Sequence, residues 1–258
     1  MRLMALLATT TIAVILPAGC GDSATETAGT LPVVTGIRVD SLTSHGDTIA
    51  VTWDAVGTVQ VEGYYLWSRI SAGEPWSLQG TVEQNFAEHI ADRTMYYTVS
   101  AFQGWDTSSM TGIPDNSRAD AVAEKELPFD GNPVGFRVDV QNDSLVTGDP
   151  ASPGFSQQFT VARDTGGEQL YIYPGSARPM TWPSGARTAI SSMGGFVAPS
   201  PGDTALWQDS IPLGTTFFVA LDDGHYCRLS SQSSSMETIR IDGQLQPMSG
   251  VRVFNQTW

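Results

Sequence analysis

Lysine is almost missing from this chain. Among 258 residues only Lys125 is a lysine, and with the arginines it makes 13 basic side chains against 27 acidic ones, a formal net charge of −14. That balance excludes a nucleic-acid binder, which needs basic patches to neutralise phosphates. It also excludes electrostatic docking on an anionic membrane surface. Histidine is nearly as scarce. His45, His89 and His225 lie in separate segments, with no HExxH or His/Cys spacing for zinc, so no metal is expected. There are two cysteines, Cys20 and Cys227, and hence no disulfide framework. The folded parts must stand on their cores. No phosphate-binding loop, dinucleotide fingerprint or G-x-S-x-G elbow occurs, and no cofactor is expected. Charged residues reach only 16%, while apolar residues reach 41%, the mixture of a globular chain rather than a disordered one.

The N-terminus is the first informative segment. Arg2 supplies a positive start, Leu3 to Leu16 run without a charge, and Pro17-Ala18-Gly19-Cys20 follows. A bilayer span needs about 20 apolar residues, so this is an export signal over residues 1–19 rather than an anchor helix. Gly21 to Thr30 are small and polar, a tether over residues 20–30.

From about Leu31 to Ile113 the pattern is short strands between turns. Ile49, Val51 and Trp53 alternate with Ala50 and Thr52, giving period two. Tyr64 to Ile70 and Met95 to Phe102 are aromatic-rich strands. Weaker ones are expected at 33–39, 76–80, 85–90 and 108–112. Seven short strands in this length point to a β-sandwich. Pro114 to Pro128 is polar, bounded by prolines, and reads as a linker in which Asp120 to Leu127 make one or two helical turns. Residues 129–258 are β-rich again, with strands expected at 135–140, 155–162, 168–173, 188–190, 215–221, 226–230, 237–242 and 251–256. That is a second sandwich or a barrel. The fold class is therefore all-β.

Three resemblances add to this reading. Ala18-Gly19-Cys20 resembles the lipobox of bacterial lipoproteins, although Pro17 stands where that family usually has Leu. The resemblance implies that Cys20 is the lipid-attachment site and becomes the mature first residue. Because Gly21 rather than aspartate follows, it also implies a place in the cell envelope at the outer membrane. Val51-Thr52-Trp53, Glu62-Gly63-Tyr64-Tyr65-Leu66 and Tyr97-Thr98-Val99-Ser100-Ala101 together resemble a fibronectin type III domain. That implies Trp53 and Tyr97 are core residues. The segment Phe217 to Leu221, the turn Asp222-Asp223-Gly224, and His225 to Leu229 resemble a hairpin of the HmuY-like bacterial lipoproteins, some of which bind haem. No second histidine is placed to pair with His225, so haem ligation does not carry over.

Three tryptophans sit where a ligand contact is conceivable. Trp105 lies in the glycine-containing loop Gln103 to Thr107, either presented or folded back over the sandwich. Trp182 and Trp207 lie in the proline-rich stretch 175–214, either exposed for stacking on a sugar or capping the core. Asp139, Asp143, Asp222 and Asp223 sit at turns, where turn chemistry explains them. Asp139 to Asp143 also invites a test for calcium. The expected function is non-enzymatic: an envelope lipoprotein, held to the membrane by its N-terminal lipid, that presents a surface for protein or glycan. The alternatives are a glycan-acting hydrolase or its accessory module, needing two facing carboxylates, and a purely structural envelope component. Cys227 is either a buried apolar residue or a free thiol.

Overall fold

The computed structural model describes residues 31–57, 59–110, 114–175, 188–234 and 238–256. Cys20 and Trp182 lie outside the described residues, as do residues 1–19 and 20–30, expected as an export signal and a tether.

The first sandwich has two antiparallel sheets. One holds β1 (Arg38–Val39), β2 (Thr48–Thr52) and β5 (Phe86–Ile90) in the order β1-β2-β5. The other holds β3 (Gly63–Arg69), β4 (Ser77–Val82), β6 (Tyr96–Gln103) and β7 (Asp106–Thr107) in the order β4-β3-β6-β7. The two-residue β8 (Asp115–Asn116) pairs with the start of β6. The first, second and fifth strands facing the third, fourth, sixth and seventh is the fibronectin type III arrangement. Its core forms because β2, β3 and β6 each turn alternate apolar side chains inward: Ile49 and Val51, Tyr64 and Leu66, Tyr97, Val99 and Ala101. Trp53 and Tyr97 are buried as the resemblance implied, and the Trp53 ring meets Tyr64 edge-on at 5.4 Å.

Among the described residues the second sandwich has five strands in each sheet. One sheet runs β11 (Ser144–Gly148), β10 (Val134–Asp139), β12 (Phe159–Arg163), β13 (Leu170–Pro174) and β15 (Ile211–Pro212). The other runs β14 (Ala189–Ser191), β16 (Thr216–Ala220), β17 (Tyr226–Ser234), β18 (Thr238–Gln246) and β9 (Asp120–Pro128). Between them Phe136 and Phe159 stack at 5.0 Å, and Phe217 meets Phe159 edge-on at 5.8 Å.

Two expectations are corrected. Residues 120–128 form no helical turn in a linker; they are β9, hydrogen-bonded along β18 at the edge of the second sandwich. Only Val122 is buried there. An edge strand with one dry contact can afford the alanines, glutamates and lysine that mimic a helix. The segment 251–256 is no strand of the second sandwich. It leaves β18 and returns to the first, where Val251 and Val253 are buried beside Val34, Trp53 and Tyr97. Gly46 clasps this segment, its N–H donating to the Gly250 carbonyl and its carbonyl accepting from the Arg252 N–H, both 2.7 Å. Alternation in Val-Arg-Val announced an extended segment, but alternation does not say which sheet receives it. The return is fixed by Asn255, which accepts from Thr94 Oγ1 at 2.5 Å and donates through Nδ2 to the Ala119 carbonyl at 2.8 Å.

Candidate functional site

A third, small apolar cluster forms on the outer face of the sheet that carries β16 and β17. Phe218 and Tyr226 point outward there and are covered by Ala198, Ala119 and Phe254, with Trp207 packed alongside. Trp207 follows a single 3-10 turn, Thr204–Leu206, and its indole Nε1 donates to the Ser200 carbonyl at 3.0 Å. That bond fixes the ring's direction. Above the cluster the surface opens into a groove of about 640 Å³. Trp207, Pro201 and Thr204 form one wall; Thr188, Ala189 and the β16–β17 hairpin with Asp222 and Tyr226 form the other. Burial pushes the Tyr226 phenol above its ordinary pKa, with the Arg252 guanidinium opposing. The groove thus offers an aromatic wall, two threonine side chains and one carboxylate. Such sparse polar groups on an apolar lining are how small-ligand sites set orientation.

The other expected residues separate. Trp105 is fully exposed, its side chain clear of the sandwich. It occupies the tight turn joining β6 to β7, where Gln103 pairs with Asp106 and Gly104 takes the left-handed φ of 56°. It is not among the residues lining the groove. Asp139 is engaged by its own turn: its carboxylate accepts from the Gln141 N–H at 3.1 Å and from Asn142 Nδ2 at 2.9 Å. Those bonds hold its pKa below the usual carboxylate range, with the Asn142 side chain the largest cause. Among the described residues no group of three or more His, Cys, Asp or Glu is placed to hold a metal ion. A larger hollow of about 710 Å³ lies beside Asp130, Asn132 and Asp149. Its carboxylates are likewise spent on local turns, Asp130 on Asn132 and Asp149 on the Ala151 N–H. His225 Nδ1 lies 3.1 Å from Asp223 Oδ1, off the hydrogen-bonding angle. Cys227 is fully buried in β17, and burial pushes its thiol far up, so it packs as an apolar residue.

One surface was missed by sequence reasoning. The outward positions of the first sandwich's second sheet carry a ladder of rings. Tyr65 stacks on Phe102 at 4.5 Å and meets Trp67 at 6.2 Å. Beyond Trp67 the Arg69 guanidinium lies 4.2 Å over Trp76 and 5.9 Å from Tyr96, with Arg118 at 5.6 Å on that same Tyr96 ring. Thr98 and Ser100 lie beneath this roof, buried although they point outward. Gly63 is required at its end, since a Cβ there would stand 2.9 Å from the Phe102 ring and 2.7 Å from the Val82 carbonyl. The signal was available in Tyr65, Trp67 and Arg69, which alternate along β3.

No protein-family model matches the chain, and no curated protein matches it. Among solved structures, an Fn3-like protein from Clostridium thermocellum is 19% identical, covering 33% of this chain and 86% of that one, with a TM-score of 0.26. Titin kinase with its flanking domains is 10% identical over 82% of this chain and 37% of that one, at 0.28. A cycloalternan-degrading enzyme from Trueperella pyogenes is 9% identical over 80% and 30%, at 0.18. The chain spans about a third of the length of those two larger proteins. Likeness at these scores argues for no shared role; the fibronectin type III order rests on the strand pairing above.

Proposed function

We propose that the protein is a non-enzymatic, lipid-anchored binding protein of the bacterial envelope, attached to the outer membrane through Cys20, and that its ligand is a glycan held in the Trp207 groove. The groove itself carries the reading: an indole fixed by its bond to Ser200 forms one wall, and Thr188, Thr204 and Asp222 line the same space. A sugar ring has one apolar face for an aromatic wall and hydroxyls for such polar groups. Glycoside hydrolysis takes two carboxylates flanking one bond, whereas Asp222 is the single acid among the described lining residues. The lipobox resemblance at Ala18-Gly19-Cys20, and the likeness of the β16–β17 hairpin to HmuY-like lipoproteins, fit an envelope setting.

The test is binding of the full chain to a panel of cell-wall and extracellular oligosaccharides, read by calorimetry. Trp207→Ala and Asp222→Asn should each weaken binding about tenfold or more while the circular dichroism of the fold persists. Because Trp207 also touches the small cluster beneath it, Asp222→Asn, at an exposed turn, separates lost contact from lost packing. Binding unchanged in both variants, or no glycan bound by the wild type, sinks the glycan reading. Labelling with a palmitate analogue, present in the wild type and absent in Cys20→Ala, tests the anchor.

A further inference from the structure

The open edges of the four sheets are not equally guarded. Natural sheets blunt their edges with charge, proline, bulges or short strands, because a free row of N–H and C=O groups invites another strand. β9 carries Asp120, Glu124, Lys125, Glu126 and Pro128. β1, β7 and β15 have two residues each and β14 three. β5 carries Glu88. β11 is uncharged, but the Asp143 carbonyl at its start binds the Ala123 N–H of β9, and the Phe155 ring covers its Gly148. β4 is the least guarded of the longer edges, its one such device a bulge opposite Leu66 and Trp67. It reads Ser-Leu-Gln-Gly-Thr-Val, without charge or proline, bonded to β3 on one side, with Leu78 half exposed.

We propose that the β4 edge is a homodimer contact, in which two copies of this chain pair β4 against β4 in antiparallel fashion and join their second sheets into one. Charge selects this occupant. Two copies of a chain of net charge −14 repel overall; an uncharged strand flanked by Glu83 and Arg69, of opposite sign, is where that repulsion is least. The symmetric register sets Ser77 opposite Val82 and Leu78 opposite Thr81 of the second copy. The pairing respects both faces: Leu78 pairs with Trp67 and Thr81 with Tyr65, which share the outer ring-bearing face, while Val82 packs toward the core. The one irregularity, a bulge in β4 opposite Leu66 and Trp67, falls at Gln79 and Gly80, on the two-fold axis itself. Each copy therefore brings the same twist to it.

One step beyond the strand, this register sets Glu83 of one copy opposite Trp76 of the other. Arg69 lies on the Trp76 ring. Its Nε is buried with no hydrogen-bond partner, and neither Arg69 nor Glu83 makes an ion pair among the described residues. Two symmetric Glu83–Arg69 pairs would close the interface at both ends, matching the unpaired cation of one copy to the exposed acid of the other.

Sedimentation of the full chain across the micromolar range tests this. The wild type should show a reversible monomer–dimer equilibrium, with the β4 amides that point away from β3 protected from exchange only in the dimer. Glu83→Arg, which sets arginine against Arg69, should raise the dimer Kd about tenfold, and Arg69→Glu in the same chain should restore it. Should Arg69→Glu disturb the ring ladder and fail to fold, Gln79→Lys, an exposed position on the axis, should break the dimer alone. A chain that stays monomeric at every concentration overturns the proposal. So does a dimer indifferent to both Glu83→Arg and Gln79→Lys, or an edge protected only when a foreign peptide is added.

Discussion

The two sandwiches reach a closed core by different routes. The second is self-sufficient: β9 through β18 supply both sheets, and its central Phe136, Phe159 and Phe217 come from strands of those sheets. The first is completed from outside. Val251 and Val253 enter its core from beyond the last strand of the second sandwich, and Val197 and Met248 pack against the same cluster. Modules drawn as beads along a sequence can thus be unequal partners, one whole and one finished by its neighbour.

Changing Val251 and Val253 together to serine tests that inequality most severely. Burying a valine is worth about 1.5–3 kcal/mol, so losing both costs about 3–6 kcal/mol, comparable with the whole stability of a domain. Denaturation followed by Trp53 fluorescence should show the first sandwich unfolding far earlier, while the near-UV signal of the second persists. If both melt together, the second sandwich is not self-sufficient. Phe159→Ala is the reciprocal change. It removes the ring that touches both Phe136 and Phe217 and should cost the second sandwich about 3–5 kcal/mol in chemical denaturation, with a smaller effect on the first.

Asn255→Leu acts at the joint. It leaves the Ala119 carbonyl and the Thr94 hydroxyl without the partner they now share, a loss of about 1–3 kcal/mol. Exchange measured at residues of both sandwiches should rise together.

Acid gives the smallest effect and the most local one. His89 Nδ1 lies 3.0 Å from the Tyr97 hydroxyl, and burial holds its pKa below the ordinary 6.5, with Asp92 opposing. The unfolded chain takes the proton first, so stability is full above about 6.5 and declines as pH falls below it. Midpoints measured between pH 7 and 5 should drop in the wild type and flatten in His89→Gln, with the second sandwich's own transition unmoved by the substitution.

Much of the fold was legible. Trp53 and Tyr97 announced the first core, and the Asp222-Asp223-Gly224 turn announced the β16–β17 hairpin, because period two and turn chemistry are local signals. What escaped was non-local. Asp120 to Pro128 carries helix-forming residues, and only its pairing with β18 makes it a strand. Val251 and Val253 look like any strand until their host is known. The site was half legible: Trp207 stood out as a proline-flanked aromatic, but Tyr226 and Asp222 became its neighbours only through the hairpin's placement. Trp105 is exposed as its glycine turn allowed, yet away from that groove, and Trp182 lies outside the described residues.

The bond between Thr94 and Asn255 joins residues 161 positions apart. A ribosome makes the first sandwich's strands long before it makes the valines that seal them. The earliest module to emerge is therefore the last to be finished. Until residues 251–255 have emerged, it presents an open apolar seam that chaperones and proteases can read. Closure of that seam requires residues 251–255, so a product terminated before them carries its defect in the part that was synthesised correctly.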